Sequence, residues 1–199
     1  IPAAEVPLTN LYRDALLNEG DLPLKLTGYT PCFRREAGSY GKEVRGLNRL
    51  HQFDKVEIVQ IVPPHASQEA HKDMVNHVGS LLDALEMPYR VLNLCAGDLG
   101  FAAAITYDFE IWSSGQSRWL EVSSVSNFRT FQSHRLRLRY RDHNNAKTKP
   151  HTLNGSALAI PRIVAGLLEQ GWDGKVVHLP KVLHSYMGVE MLTKQEVKL

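Results

Sequence analysis

The chain has 199 residues, 43% hydrophobic and 22% charged, a composition that suits one globular domain with a sizeable core. A formal net charge of +2 is too small to argue for a nucleic-acid partner by itself. No apolar run is long enough to span a bilayer and no basic-then-apolar leader opens the chain, so a cytoplasmic protein is expected, and the opening Ile1-Pro2-Ala3-Ala4-Glu5 reads as the interior of a longer domain.

Pro7 suits the first turn of a helix over residues 6–17. Residues 24–35 read as a strand, residues 36–50 as a long loop rich in Gly and charge, and residues 51–62 as a second strand stopped by Pro63-Pro64. Ala70, Met74, Val78, Leu81, Leu82 and Leu85 recur at helical spacing, which predicts an amphipathic helix over 67–86. Residues 89–95, 105–112 and 118–123 read as further strands. Arg135, Arg137, Arg139 and Arg141 alternate, so on a strand they share one face; a solvated edge strand guarded by charge is one reading, a phosphate-facing strip the other. Ile160, Ile163, Val164, Leu167 and Leu168 mark a second helix, with Pro161 near its start and Gly171 and Gly174 at its end. This order lacks the regular strand–helix alternation of a doubly wound fold and predicts a mostly antiparallel sheet flanked by helices, an α+β domain. Cys32 and Cys95 lie in apolar runs without CxxC spacing and read as buried thiols. The nine histidines form no HExxH, so no protein-held zinc is expected. Trp112, Trp119 and Trp172 read as packing residues.

No glycine-rich phosphate loop is present: GxGxxG is missing and Gly38-Ser39-Tyr40-Gly41-Lys42 is too short for GxxxxGK[ST]. A nucleotide would therefore be held by side chains on the sheet. Across the first hairpin, Arg34 and Glu36 share one strand face, and Phe53 and Glu57 share another. Glu36 and Phe53 lie near the loop end, Arg34 a step deeper and Glu57 deeper still. Four residues of strand cover roughly 13 Å, about the length of an aminoacyl-adenylate. An aromatic ring with an acceptor suits adenine, an arginine suits an α-phosphate, and a carboxylate suits an amino acid's hydroxyl or ammonium. A surface hairpin with ordinary cross-strand ion pairs fits the same spacing.

Thr30-Pro31-Cys32-Phe33-Arg34-Arg35-Glu36-Ala37-Gly38-Ser39, then Arg45-Gly46-Leu47 and His51-Gln52-Phe53-Asp54-Lys55-Val56-Glu57, resembles motif 2 of the class II aminoacyl-tRNA synthetases, the seryl branch of bacterial type in particular. His151-Thr152-Leu153-Asn154-Gly155-Ser156 through Arg162 resembles motif 3, Glu121-Val122-Ser123-Ser124-Val125-Ser126-Asn127 the segment between the motifs, and Ala4-Glu5-Val6-Pro7-Leu8-Thr9-Asn10 the amino-acid-binding segment. The resemblance runs nearly end to end and implies that residues 1–199 are a partial class II catalytic domain, truncated at its N-terminus. Motif 1 and the N-terminal coiled-coil arm are missing, so the isolated piece is expected to risk inactivity.

The resemblance implies ATP-dependent activation of L-serine and its transfer to the 3′ end of tRNA(Ser), by a protein that is a homodimer at full length and has no membrane association. Arg34 would hold the α-phosphate and Glu36 the adenine amino group, with Arg35 beside them. Phe53 and Arg162 would stack on the two faces of adenine, and Arg49 would reach the γ-phosphate. Arg34 and Arg162 are the candidate catalytic residues. Glu121 and Ser124, with Val122 and Ser123 between them, would coordinate Mg2+ bound to ATP. Ala3, Ala4, Glu5, Glu57, Asn154 and Ser156 would surround serine. Glu121 and Ser124 fall on opposite faces of a regular strand, so joint metal binding requires a bulge near Ser123. Asp108 and Glu110 share a strand face, read as solvated or ion-paired, with assistance to a metal as the alternative. Ala3 replaces the family's usual Thr, and Ala157 and Pro161 replace glycines common in motif 3. Two rival readings are a ligase that delivers an activated amino acid to a carrier protein and a non-catalytic paralogue.

Overall fold

The computed structural model describes residues 1–37 and 46–193; Gly38, Ser39 and Arg45 of the quoted motif, and the predicted loop's residues 38–45, lie outside them. In chain order the elements are α1 (Glu5–Asn10), β1 (Leu16–Asn18), β2 (Leu24–Phe33), β3 (Gln52–Val62), α2 (Ser67–Ala84), β4 (Tyr89–Asn93), β5 (Ile105–Ser113), β6 (Arg118–Arg129), α3 (Phe131–Arg135), β7 (Arg139–Arg141), β8 (Lys147–Thr148), β9 (His151–Ala159), α4 (Ile160–Gly171), β10 (Val176–His178), α5 (Lys181–Met187) and β11 (Met191–Thr193). The main sheet has the order β2-β3-β9-β6-β5-β4, antiparallel at every pairing. This is the expected α+β architecture. Among the described residues no helix is long and apolar enough to cross a membrane.

The two faces of β3 set the layout. Ile58 and Val62 turn toward α2, whose Met74, Val78 and Leu82 recur every four residues and meet Phe109, Val125 and Leu153 in the main core. Each such side chain, removed from water, contributes about 1.5–3 kcal/mol. Alternation sends Phe53, Lys55 and Glu57 to the opposite face. Farther along that face Ile61 is fully buried with Leu136 and Leu138, against Tyr12 and Leu17 of the small sheet β1-β7-β8 and its approach. Along β3 the α2 side is thus only partly covered before Val62, while the other side is buried around Ile61 and open toward Phe53.

Several expected elements differ. The first helix stops at Asn10 instead of Leu17, because Thr9 is its one buried residue and the chain then turns to pair β1 with β7 in parallel. Asp14, at φ 61°, makes that turn, with its N–H donating to the Leu136 carbonyl. The arginine run forms no single strand face. Arg135 ends α3 and covers the Phe131 ring, Arg137 adopts φ 55° and pairs with Asp14, and only Arg139 and Arg141 lie on β7, the central strand of its sheet. The segment instead closes α3, with the Leu136 and Leu138 N–H groups donating to the Gln132 and Ser133 carbonyls, and both leucines enter the second core. β6 runs to Arg129, six residues past its predicted end. Cys32 is buried as expected, but Cys95 lies beyond the end of β4 in a turn and is exposed. Trp112 and Trp172 are 40% and 51% exposed, so they are not core packing residues; Trp112 instead meets Trp119 edge-on.

Candidate active site

A groove of about 260 Å³ opens on the polar face of the sheet, lined by Arg34, Glu36, Arg49, Phe53, Glu121 and Arg162 among others. The predicted strand over 24–35 ends at Phe33, so Arg34 and Glu36 reach the groove from irregular chain, Glu36 at a left-handed φ of 49°. Arg34 is fixed by its backbone N–H, which donates to the His51 carbonyl at 2.9 Å, and by its Nε, which donates to the Pro2 carbonyl at 3.2 Å. Its guanidinium lies 5.0 Å from the Phe53 ring centroid. His51 holds the Arg34 carbonyl at 3.2 Å, a structural role. Arg49 pairs with Glu36 at 2.9 Å. Arg162 opens α4, donating from Nη1 to the Glu121 carbonyl at 2.5 Å and from Nε to the Asn48 carbonyl at 3.3 Å. Dehydration lowers the pKa of its guanidinium, Glu121 opposes that shift, and the positive charges of Arg49 and Arg34 add to it. The groove thus gathers several cations and satisfies them with carbonyls and the carboxylates of Glu36 and Glu57, and a polyphosphate would replace such contacts.

Glu110 pairs with Glu121, Phe109 with Ser123 and Asp108 with Ser124, which leaves Val122 as the extra residue of a bulge. The bulge resets the alternation, so Glu121 and Ser124 turn to the same face, the one that carries Asp108 and Glu110. Burial raises the pKa of the Glu121 carboxyl, and neighbouring Asp108 raises it further while Arg162 lowers it. Asp108 is raised chiefly by burial, with Ser124 opposing and Glu110 adding, and its Oδ1 is buried without a hydrogen-bond partner among the described residues. Glu110 is held by Arg90 at 2.6 Å, the ion-paired role expected of it. Oxygen donors with raised pKa values and an orphaned carboxylate oxygen fit a hard divalent cation. Ser123 points elsewhere: its Oγ donates to the Ser156 carbonyl at 2.5 Å, tying β6 to β9.

Beyond Phe53, Glu57 is 2% exposed and its Oε2 stands 2.5 Å from the Lys55 ammonium. Burial raises its pKa, Lys55 opposes the shift, and Glu5 adds to it. Ser156 lies opposite Glu57 in the β3–β9 register and also lines the groove. Asn154, two residues earlier, is buried, and its Nδ2 donor has no partner among the described residues. Glu5 opens α1 and accepts from Gln132 Nε2 at 2.5 Å. Ala4 is 2% exposed and Ala3 half-buried beside it. Arg35 is exposed and stands apart from the groove lining. Lys55 and Asn48 also line the groove, and Gln132 meets Glu5, without a role expected of them from the sequence. Lys55 was discernible as the residue between Phe53 and Glu57 on one strand face, whereas Gln132 carries no signal until α3 folds against α1.

The family model described as "tRNA synthetase class II core domain (G, H, P, S and T)" matches residues 1–171. The chain is 58% identical to the serine–tRNA ligase of Salinibacter ruber over 191 residues and 54% identical to that of Nitrosococcus oceani. Each match covers 94% of this chain and 44% of the relative, so the chain spans less than half the length of these curated relatives. Among solved structures, the seryl-tRNA synthetase from Pyrococcus horikoshii complexed with ATP superposes with a TM-score of 0.95 at 41% identity, covering 98% of this chain and 44% of that one. The cytoplasmic serine–tRNA ligase from Naegleria fowleri in complex with AMP gives 0.91 at 30%, covering 98% and 47%. The Giardia lamblia prolyl-tRNA synthetase, at 17% identity, TM-score 0.79 and coverage of 92% and 36%, shares the fold. By its groove, its sheet topology and the match over residues 1–171, the chain belongs to the class II tRNA synthetase core-domain family.

Proposed function

We propose that the protein is a serine–tRNA ligase, of which residues 1–199 supply the adenylate-forming core: it joins L-serine to ATP as seryl-adenylate and passes the seryl group to tRNA(Ser). The observation that carries this reading is the row along one sheet face: Phe53, then Lys55, then buried Glu57, with Arg34, Arg49 and Arg162 around the mouth. Phe53 and Arg162 receive adenine between them, and Glu36 accepts from its amino group after Arg49 turns to the γ-phosphate. The serine carboxylate attacks the α-phosphorus in line and pyrophosphate leaves. Arg34 offsets the charge that builds on the α-phosphate, so the protein acts by positioning and electrostatics, without a protein nucleophile. Glu121 and Ser124, with Asp108 on the same face, would hold Mg2+, which supplies charge neutralisation for the phosphates.

Serine lies among Glu57, Glu5, Asn154 and Ser156. The buried Nδ2 of Asn154, without a partner among the described residues, and the dehydrated Glu57 favour a small polar guest. Alanine leaves such groups unpaired and is rejected for that reason; threonine is rejected sterically. The cytoplasm and a homodimer at full length belong to the same proposal. Serine-dependent exchange of pyrophosphate into ATP tests activation, and offering tRNA(Ser) against a carrier protein as acceptor tests transfer. Exchange that proceeds with alanine as well as with serine sinks the proposal.

A further inference from the structure

Gln132 joins three elements that are remote in sequence. From α3, its Nε2 donates to Glu5 Oε1 on α1 at 2.5 Å, and its Oε1 accepts from Thr152 Oγ1 on β9 at 2.7 Å. Thr152 is fully buried, so its hydroxyl proton has no water to go to. A carboxylate oxygen accepts and an amide NH2 only donates, so the amide must stand nitrogen-first toward Glu5. Among the described residues this is the one hydrogen bond the Glu5 side chain makes. α1 is a helix of six residues with no side-chain cap at its start. α1 packs against β3, and the charge of Glu5 adds to the raised pKa of Glu57.

We infer that Gln132, locked by Thr152, is the positioning residue that fixes Glu5 to receive the ammonium group of the bound amino acid. The inference rests on the proposed serine site. An ammonium offers three donors and no acceptor. With Oε1 taken by the amide, the second oxygen of Glu5 is held at one angle for one of those donors. Gln132 itself touches no substrate. Its effect is on discrimination: ligands with an α-amino group gain from the arrangement, and ligands without one do not.

The test compares a non-hydrolysable seryl-adenylate analogue with its counterpart lacking the α-amino group, by calorimetry on the wild type, Gln132→Leu, Gln132→Glu and Thr152→Val. The wild type is expected to prefer the aminated analogue at least about tenfold, the value of one hydrogen bond to a charged group. Gln132→Leu should lose most of that preference and Thr152→Val part of it, with affinity for the deaminated analogue and for ATP within about twofold of wild type. Gln132→Glu keeps the shape but sets an acid against Glu5, and should fall at least as far as Gln132→Leu. Full preference retained in Gln132→Leu, or equal loss of both analogues in every variant, overturns the inference, the second outcome marking a purely structural residue. A wild type that binds neither analogue overturns the serine-site reading itself and takes this inference with it.

Discussion

Replacing Glu57 by Gln separates what the acid does for the substrate from what it does to the fold. Glu57 is 2% exposed and pairs with Lys55, itself 9% exposed, at 2.5 Å. A neutral amide keeps the shape but removes the charge that a serine hydroxyl or ammonium meets. A hydrogen bond to a charged group contributes about 1.5–3 kcal/mol, so kcat/KM for serine in pyrophosphate exchange should drop roughly 10- to 150-fold, with the KM for ATP little changed. The fold should suffer too. Breaking a buried ion pair costs about 3–5 kcal/mol when one charge is stranded, and the amide carbonyl still faces Lys55, so a loss below that range is expected. The double variant Glu57→Leu/Lys55→Met leaves neither a charge nor an amide stranded and should regain stability, without regaining exchange, since replacing both charges of a buried pair by apolar groups is often neutral or stabilising. The pH profile carries a further sign. The folded-state pKa of Glu57 lies above its unfolded value, so its contribution is present below the unfolded pKa and is lost as pH rises through the raised one. Thermal unfolding against pH should therefore be flatter in Glu57→Gln than in wild type above the ordinary carboxylate range. Single-variant exchange within threefold of wild type, or a double variant less stable than the single, refutes this reasoning.

Arg34→Ala should slow pyrophosphate exchange by roughly 100-fold or more, the scale of a lost transition-state contact, and a loss below tenfold removes Arg34 from the reaction. His71 is 4% exposed, donates from Nε2 to the Val125 carbonyl at 3.0 Å, and has its pKa lowered by burial. Its contribution is present above the unfolded pKa of about 6.5 and is lost as pH falls through the lowered folded value, so the melting temperature of His71→Gln should fall less between pH 7 and pH 5 than that of wild type. A Cβ on Gly171 would run into the His178 carbonyl, a backbone atom that cannot swing aside, so Gly171→Ala should cost about 1–3 kcal/mol in denaturant unfolding with serine activation unchanged.

The parts of the fold legible in the sequence were those in which one period controls burial. α2 shows every apolar contact at helical spacing, and β3 declares both ends through Pro63 and the polar residues before it. The misread segments are those in which tertiary contacts outweigh local pattern. Residues 11–17 look helical but are claimed by pairing with β7 and by the second core around Ile61. The arginine alternation looks like a strand, yet the run begins at the end of α3 and Arg137 takes a left-handed backbone as the chain passes from that helix to β7. At the site, Arg34, Glu36, Phe53 and Glu57 were readable because they flank one hairpin. The orphaned Asn154 Nδ2 and Asp108 Oδ1, and the hold of Gln132 on Glu5, belong to contacts between distant segments that no spacing along the chain reveals.

The bulge at Val122 explains how one strand serves both the core and the site. Val122 and Val125 are fully buried against α2, and a strand without interruption would put Glu121 and Ser124 on opposite faces. One extra residue lets both valines remain in the core while Glu121, Ser124, Asp108 and Glu110 gather on the groove side. That gathering is unfavourable by itself, since burial and mutual repulsion raise the pKa values of Glu121 and Asp108. The cost is tolerable because the opposite face of the same strands packs continuously on Met74, Val78 and Leu82, which offset it without touching the site. A divalent cation held there with phosphates, as proposed, would offset that repulsion. The same strands thus carry the core on one face and, on the other, the acids that the proposed cation would neutralise.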